Sequence, residues 1–145
     1  MMLRRLMIAG LLAGALVGCG RAGGRAAGGA ATVIPWEKDL AGALARAGSE
    51  NKLVMVDFYT DWCRWCDVMD EKTFADGAVQ AELRRMVVVK LDAERDGRDA
   101  ARRYGVEGFP TMVFLDATGR EVGRIPGFLP PEPFLEELGD ILKKA

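Results

Sequence analysis

Two cysteines separated by two residues are the side chains of this sequence best suited to chemistry. Cys63 and Cys66 lie in segment 62–66 (Trp-Cys-Arg-Trp-Cys), directly after the apolar run Leu53–Tyr59. This run is short and rich in strand-forming residues, and a helical pattern begins at Cys63. The pair is therefore predicted where a buried strand ends and a helix starts. Two thiols three residues apart on a first helical turn are close enough to form a small disulfide ring.

The predicted position favours reactivity of the first cysteine. A thiol attacks a disulfide only as its thiolate, and a helix N-terminus stabilises this anion through unpaired N–H groups and the positive end of the helix dipole. Cys63 is predicted at that end, and the cationic Arg64 beside it is expected to lower the thiol pKa further. Cys66, one turn in and more covered, is expected to remain a thiol until it resolves a mixed disulfide. The pattern therefore predicts thiol–disulfide exchange.

Two other interpretations of the cysteine pair remain open at this point. A structural zinc site needs four ligands, normally Cys and His, whereas the chain has no histidine and only one further cysteine, Cys19, far from the motif. A permanent structural disulfide is the second alternative, although so short a loop would constrain little of the unfolded chain. We expect no metal and no bound cofactor, because the pair Cys63–Cys66 would itself be the redox group.

Length and composition indicate one folded domain. The chain has 145 residues, of which 50% are hydrophobic and 28% are charged, which is enough for a packed core. Its formal net charge is −1. This balance argues against nucleic acid, and against a membrane surface bound by charge, as a partner.

The first 18 residues read as a bacterial signal peptide. Arg4 and Arg5 precede the apolar stretch Leu6–Val17, which is too short for an ordinary membrane span. Segment 16–19 (Leu-Val-Gly-Cys) resembles the lipobox of bacterial lipoproteins, and the resemblance implies that Cys19 is lipid-modified and begins the mature chain. The alternative is an ordinary secretory leader with a free Cys19.

The remaining boundaries follow from composition. Residues 19–32 would be the lipidated cysteine and a flexible tether rich in Gly and Ala, and residues 33–145 the folded domain. The domain is then expected outside the cytosol, anchored by lipid to the membrane, on the periplasmic side in a Gram-negative cell. Disulfides form and persist in that compartment.

Hydrophobic periodicity predicts the element order α, β, α, α, β, α, β, β, α. The first helix is placed on a stripe from Trp36 to Ala47, and the helix that begins at Cys63 is expected to run to about Thr73. The later predicted strands are Met86–Asp92, Thr111–Leu115 and Glu121–Ile125. This order predicts an α/β domain with a mixed central sheet and helices on both faces.

Four features of this sequence together resemble the thioredoxin family over nearly all of Val33–Ala145. They are the Trp-Cys-x-x-Cys motif after a strand, Asp57 six residues before the first cysteine, segment 108–111 (Gly-Phe-Pro-Thr), and Gly127 after the hairpin. The resemblance implies a thioredoxin fold. Residues 60–63, 72–76, 79–80 and 127–128 are more similar to the C-terminal domain of DsbD-type thiol:disulfide interchange proteins. Arg64-Trp65 departs from the Gly-Pro of thioredoxin itself and leaves the direction of electron flow open.

The resemblance implies roles for two charged residues of the predicted strands. Asp57 would be a buried acid behind Cys66 that accepts or relays its proton, with a raised pKa suited to transfer near neutrality. Lys90 would neighbour that acid. The alternatives are that Asp57 is a strand-end acid that reaches solvent, and that Lys90 extends to the surface.

The resemblance also implies a substrate groove beside the cysteines. Pro110 would be cis and would expose the Phe109 backbone, so that an extended client segment can pair with it strand to strand. The remaining predicted contacts are Trp62, Arg64, Trp65 and Gly127. The two tryptophans could form an apolar rim for a partner protein, although Trp62 could instead pack as a lid and Trp65 could simply be exposed.

The sequence thus favours a membrane-tethered thiol–disulfide oxidoreductase that reduces disulfides of extracytoplasmic proteins. Cys63 would attack, Cys66 would resolve the mixed disulfide, and a DsbD-type membrane protein would supply electrons. The expected partners are client proteins with disulfides, that electron donor, and the membrane through Cys19. The alternatives are a disulfide oxidase or isomerase, and a binding or chaperone-like module in which the cysteines are idle.

Overall fold

The computed structural model describes residues 33–145. The predicted leader, the predicted lipidation site Cys19 and the predicted tether lie outside the described residues. The elements are α1 (Leu40–Glu50), β1 (Val54–Tyr59), α2 (Arg64–Val68) followed by a π-helical turn (Met69–Thr73), α3 (Gly77–Leu83), β2 (Val87–Asp92), α4 (Arg98–Arg103), β3 (Thr111–Leu115), β4 (Glu121–Pro126) and α5 (Pro131–Leu142). No helix within residues 33–145 combines the length and apolar character that a membrane crossing requires.

The four strands form one mixed sheet in the order β2-β1-β3-β4. β1 runs parallel to β2 and antiparallel to β3, and β4 pairs antiparallel with β3. In this register Asp57 of β1 lies beside Lys90 of β2 on one side and Met112 of β3 on the other. The predicted mixed sheet is confirmed.

Alternate residues of each strand point to opposite faces of the sheet, and each face is covered by helices. Val54, Val56 and Phe58 pack with residues of α1 and α4. Met55 belongs to the other cluster, with residues of α3, α5 and the π-helical turn. The same alternation puts Asp57 and Lys90 on this second face. The sequence therefore delivers two charged residues into an otherwise apolar layer.

The first helix begins later than predicted. Trp36 does not belong to it, because the Asp39 side chain accepts hydrogen bonds from the N–H groups of Ala41 and Gly42 and so caps a helix that starts at Leu40. Trp36 lies in an extended segment, where its ring meets that of Phe74 at 5.1 Å. Its spacing from the helical stripe was coincidental.

The predicted helix from Cys63 to Thr73 is present but not uniform. Its second half widens into the π-helical turn, in which the Phe74 N–H donates to the Met69 carbonyl at 2.9 Å. Such turns insert one extra residue per turn and change the direction of the side chains that follow. Asp70 lies within this turn.

Candidate active site

Cys63 and Cys66 are joined by a disulfide at the start of α2. The Cys63 N–H donates to the Thr60 carbonyl at 3.2 Å, which closes the turn between β1 and α2. Cys63 is the N-cap residue of α2, and its Sγ accepts a hydrogen bond from the Cys66 N–H at 3.1 Å. The cysteines therefore lie at the strand-to-helix junction that the sequence predicts.

The two sulfurs differ more in their hydrogen bonding than in their coverage. Cys63 is 6% exposed and Cys66 is 4% exposed, so the expected contrast in burial is slight. Among the hydrogen bonds found within residues 33–145, a backbone N–H is directed at Cys63 Sγ, whereas Cys66 Sγ receives none. A donor in that position stabilises a negative charge on sulfur. Cys63 is thus the better placed of the two to act as a thiolate.

Exposed tryptophans flank the disulfide and are held in place by specific contacts. The Trp62 ring packs edge-to-face on Phe109 with centroids 6.1 Å apart, and its Nε1–H donates to the Glu94 carboxylate at 3.1 Å. Trp65 stacks on Phe128 at 5.5 Å. Both indole rings remain exposed despite these contacts. They form an apolar rim rather than a closed lid.

An open groove of about 250 Å³ lies beside Trp65, lined by Phe109, Gly127 and Phe128. The Phe109–Pro110 peptide bond is cis, as predicted. Gly127 has φ +83°, a conformation that favours glycine, and its N–H donates to the Pro110 carbonyl at 2.7 Å. The predicted groove residues are thereby brought together.

One predicted contact, Arg64, is not among the residues that line the groove, and two residues of the site were not predicted. Arg64 is exposed at the first position of α2. Phe128 and Glu94 were not predicted as site residues. The position of Phe128 directly after Gly127 was a usable signal, whereas Glu94 lies 32 residues from Trp62 and no local pattern pointed to it.

Asp57 is buried, with 1% of its surface exposed. Its Oδ2 lies 3.2 Å from Lys90 Nζ, and its Oδ1 has no hydrogen-bond partner within residues 33–145. Burial raises the pKa of this carboxyl to about 6, and the positive charge of Lys90 only partly opposes the rise. The alternative of a solvent-reaching acid is therefore wrong, and the raised pKa agrees with the prediction.

Lys90 lies between two carboxylates rather than beside one. Its side chain is 12% exposed and forms ion pairs with both Asp57 and Asp70. Burial alone would lower the pKa of Lys90, but the negative charges of Asp57 and Asp70 outweigh it, and the pKa is raised. The alternative of a lysine extended to the surface is wrong. Asp70 was missed because its contact with Lys90 spans 20 residues.

The described part of the chain offers no assembled metal site. Within residues 33–145, His, Cys, Asp and Glu side chains do not converge in groups of three or more that could hold an ion. The two cysteines are bonded to each other.

Comparison with known proteins shows similarity to thioredoxin-like proteins along most of the chain. A family model described as a thioredoxin-like domain matches residues 40–142. Over 98 residues the chain is 37% identical to the thiol:disulfide interchange protein DsbD of Actinobacillus pleuropneumoniae serotype 5b (strain L20). That match covers 64% of this chain and only 17% of the relative. The predicted similarity to DsbD-type proteins is confirmed.

Solved structures agree with the observed architecture. A thioredoxin from Thermus thermophilus superposes with a TM-score of 0.68 at 34% identity, covering 76% of this chain and 88% of that one. The C-terminal domain of DsbD from Neisseria meningitidis, in its oxidised form, gives a TM-score of 0.61 at 22% identity, covering 72% and 97%. The second likeness shows the fold alone. The sheet order, the cysteine motif and these matches lead to one conclusion: the chain belongs to the thioredoxin-like domain family.

Proposed function

We propose that this protein is a thiol–disulfide oxidoreductase that reduces disulfides in client proteins. The observation that carries the proposal is the Cys63–Cys66 disulfide at the head of α2, with a backbone N–H directed at Cys63 Sγ and exposed aromatic rings around it. This arrangement can stabilise an attacking thiolate and can receive another protein chain.

The reaction consists of two exchanges of sulfur bonds. In the dithiol form, Cys63 thiolate attacks one sulfur of a client disulfide, the client S–S bond breaks, and its other sulfur leaves as a thiolate that takes up a proton. Cys66 then loses its proton and attacks Cys63 Sγ. The mixed disulfide breaks, the second client sulfur leaves, and Cys63–Cys66 is oxidised while the client has gained two electrons and two protons.

Asp57 supports the reductive direction. The second exchange requires Cys66 to lose its proton, and the resemblance to thioredoxin implies that Asp57, a buried acid of β1, lies behind Cys66. With a pKa of about 6, most Asp57 carboxyls are ionised at neutral pH and can accept a proton. An oxidase would run the two exchanges in reverse, and the reduction potential of the cysteine pair decides between the directions.

The groove beside Trp65 is the proposed docking site for an extended client segment. Phe109 would pair with the client through its backbone, while Trp65 and Phe128 would receive an apolar side chain next to the client cystine. Trp62, Arg64 and Gly127 would border the same segment. Trp65→Ala is expected to slow reduction of a protein disulfide about fivefold, by loss of its stacked pair, and to leave reduction of oxidised glutathione nearly unchanged.

Tethering belongs to the same proposal. We infer that Cys19 carries lipid, that residues 19–32 tether the domain outside the cytosol, and that a DsbD-type membrane protein recycles the disulfide. The curated relatives are DsbD proteins of which this chain spans less than a fifth, and the likeness to them supports this partner class. Cys19→Ala should release the protein from membranes with its activity intact, and retention on membranes would contradict the anchor.

Insulin reduction with dithiothreitol as electron source tests the activity. The wild type should accelerate it, whereas Cys63→Ser and Cys66→Ser should each fall to the rate of dithiothreitol alone. Cys66→Ser should also accumulate mixed disulfides through Cys63, which identify the clients. Full activity of Cys63→Ser would leave only a binding module with idle cysteines.

A further inference from the structure

One ammonium group serves two carboxylates, one on β1 and one in the π-helical turn. Lys90 Nζ lies 3.2 Å from Asp57 Oδ2 and closer still to Asp70 Oδ1. The Asp70 side chain is 45% exposed, whereas that of Asp57 is almost fully buried. One lysine therefore pairs with two carboxylates, of which one is buried and the other is open to solvent.

Charged residues from three parts of the chain act on the Asp57 carboxyl. Lys90 faces it from β2, Asp70 from the π-helical turn, and Lys38 acts from the segment before α1. Among the groups in direct ionic contact, Asp57, Asp70 and Lys90, the net charge is −1 when all three are ionised. Lys38 is exposed and acts on Asp57 without forming an ion pair with it, so the two carboxylates share the full counter-charge of one lysine. Because Asp70 reaches solvent, the deficit falls on Asp57. The Asp70 charge itself also raises the pKa of Asp57.

Three aromatic rings and an open cavity surround the ammonium group of Lys90. Its Nζ is 5.3 Å from the Trp36 and Tyr59 ring centroids and 5.7 Å from that of Phe74. These rings attract the cation without fixing a hydrogen-bond direction. A solvent-open cavity of about 370 Å³ borders Lys90 and Asp70. Asp57 and Asp70 are the carboxylates that form ion pairs with Lys90 within residues 33–145.

We propose that Asp70 is a positioning residue that draws Lys90 partly away from Asp57 and thereby keeps the buried carboxyl able to take the proton of Cys66. The inference rests on the proposed function, since a proton acceptor is needed only if Cys66 ionises during turnover. Without the Asp70 charge, Lys90 pairs with Asp57 alone. Asp57 is then held in its ionised form and becomes a weaker base.

Titration of the Asp57 carboxyl by ¹³C NMR in the intact protein tests this arrangement. Asp70→Asn should weaken proton binding at Asp57 about tenfold, because its counter-charge is no longer shared. Asp70→Glu should restore most of the wild-type titration. Glu71→Gln is the matched control, because Glu71 is an exposed acid in the same π-helical turn. An unchanged titration in Asp70→Asn, or an equal shift in Glu71→Gln, would overturn the proposal.

The pH dependence of mixed-disulfide resolution provides the functional readout. The midpoint of the pH dependence of the resolution rate should lie about one pH unit lower in Asp70→Asn than in wild type. The Asp57 titration should shift by the same amount. A shifted titration with an unshifted rate profile would also overturn the inference. Failure of the wild type to reduce insulin at any pH would instead overturn the proposed function.

Discussion

The two faces of the sheet are built from alternate residues of the same strands, yet they differ in character. On the face covered by α1 and α4, the residues Val54, Val56 and Phe58 are fully buried in an apolar cluster. On the other face, Asp57 and Lys90 interrupt an equally buried layer. Neighbouring residues of one strand therefore differ in role: one face stabilises the fold, and the other holds the charged pair that the proposed mechanism uses.

The buried Asp57 carboxyl lowers stability at neutral pH. Burial raises the pKa of Asp57 from 3.8 to about 6, so the folded protein binds this proton more tightly than the unfolded chain does. Stability from this group is therefore fully present below pH 4 and is lost as pH rises through 6. A shift of about two units corresponds to roughly 3 kcal/mol. The contrast between the faces can be tested by substitutions on each.

The largest effect is expected on the apolar face. Phe58→Ala removes a fully buried ring and should reduce the free energy of unfolding by about 3–5 kcal/mol, because the cavity cannot fully collapse. Urea unfolding at pH 7 measures this loss. The loss should be nearly the same at pH 4, because no titrating group is removed. A loss below about 1 kcal/mol would show that this face is loosely packed.

Substitution of Asp57, the residue next to Phe58, should stabilise the protein instead of destabilising it. Asp57→Asn keeps the shape of the side chain, removes its charge, and leaves Lys90 paired with Asp70. It should raise the free energy of unfolding by roughly 3 kcal/mol at pH 8, with the gain gone by pH 4. Insulin reduction should slow about a hundredfold, because the proton acceptor is lost. Destabilisation at pH 8 would remove the distinction between the faces.

A smaller effect should show that the sheet face that holds Asp57 and Lys90 is tightly packed away from these two charges. A Cβ on Gly123 of β4 would lie 2.8 Å from Ile141 Cγ1 of α5, so Gly123→Ala should cost about 1–3 kcal/mol. Gly139→Ala is the control in α5, since no heavy atom lies within 4 Å of its added Cβ, and it should stabilise by up to about 1 kcal/mol. Effects of the same sign in urea unfolding would contradict this view.

The features that the sequence predicted and those that it missed differ in how far apart their residues lie in the chain. The strand around Asp57, the disulfide pair and the order of elements depend on residues close together in the chain, and periodicity with the resemblance was enough to place them. The Lys90–Asp70 ion pair and the Trp62–Glu94 hydrogen bond join residues that lie 20 and 32 positions apart. Trp36 fitted a helical period, but the cap formed by Asp39 starts the helix after it. Non-local pairing is not encoded in any one window.

Selective alkylation of the fully reduced protein tests the central claim that Cys63 is the attacking sulfur. With limiting iodoacetamide at pH 7 and peptide mapping by mass spectrometry, Cys63 should be modified first while Cys66 remains largely unmodified, because only Cys63 Sγ receives the Cys66 N–H hydrogen bond. Equal modification of the two cysteines, or earlier modification of Cys66, would contradict the account.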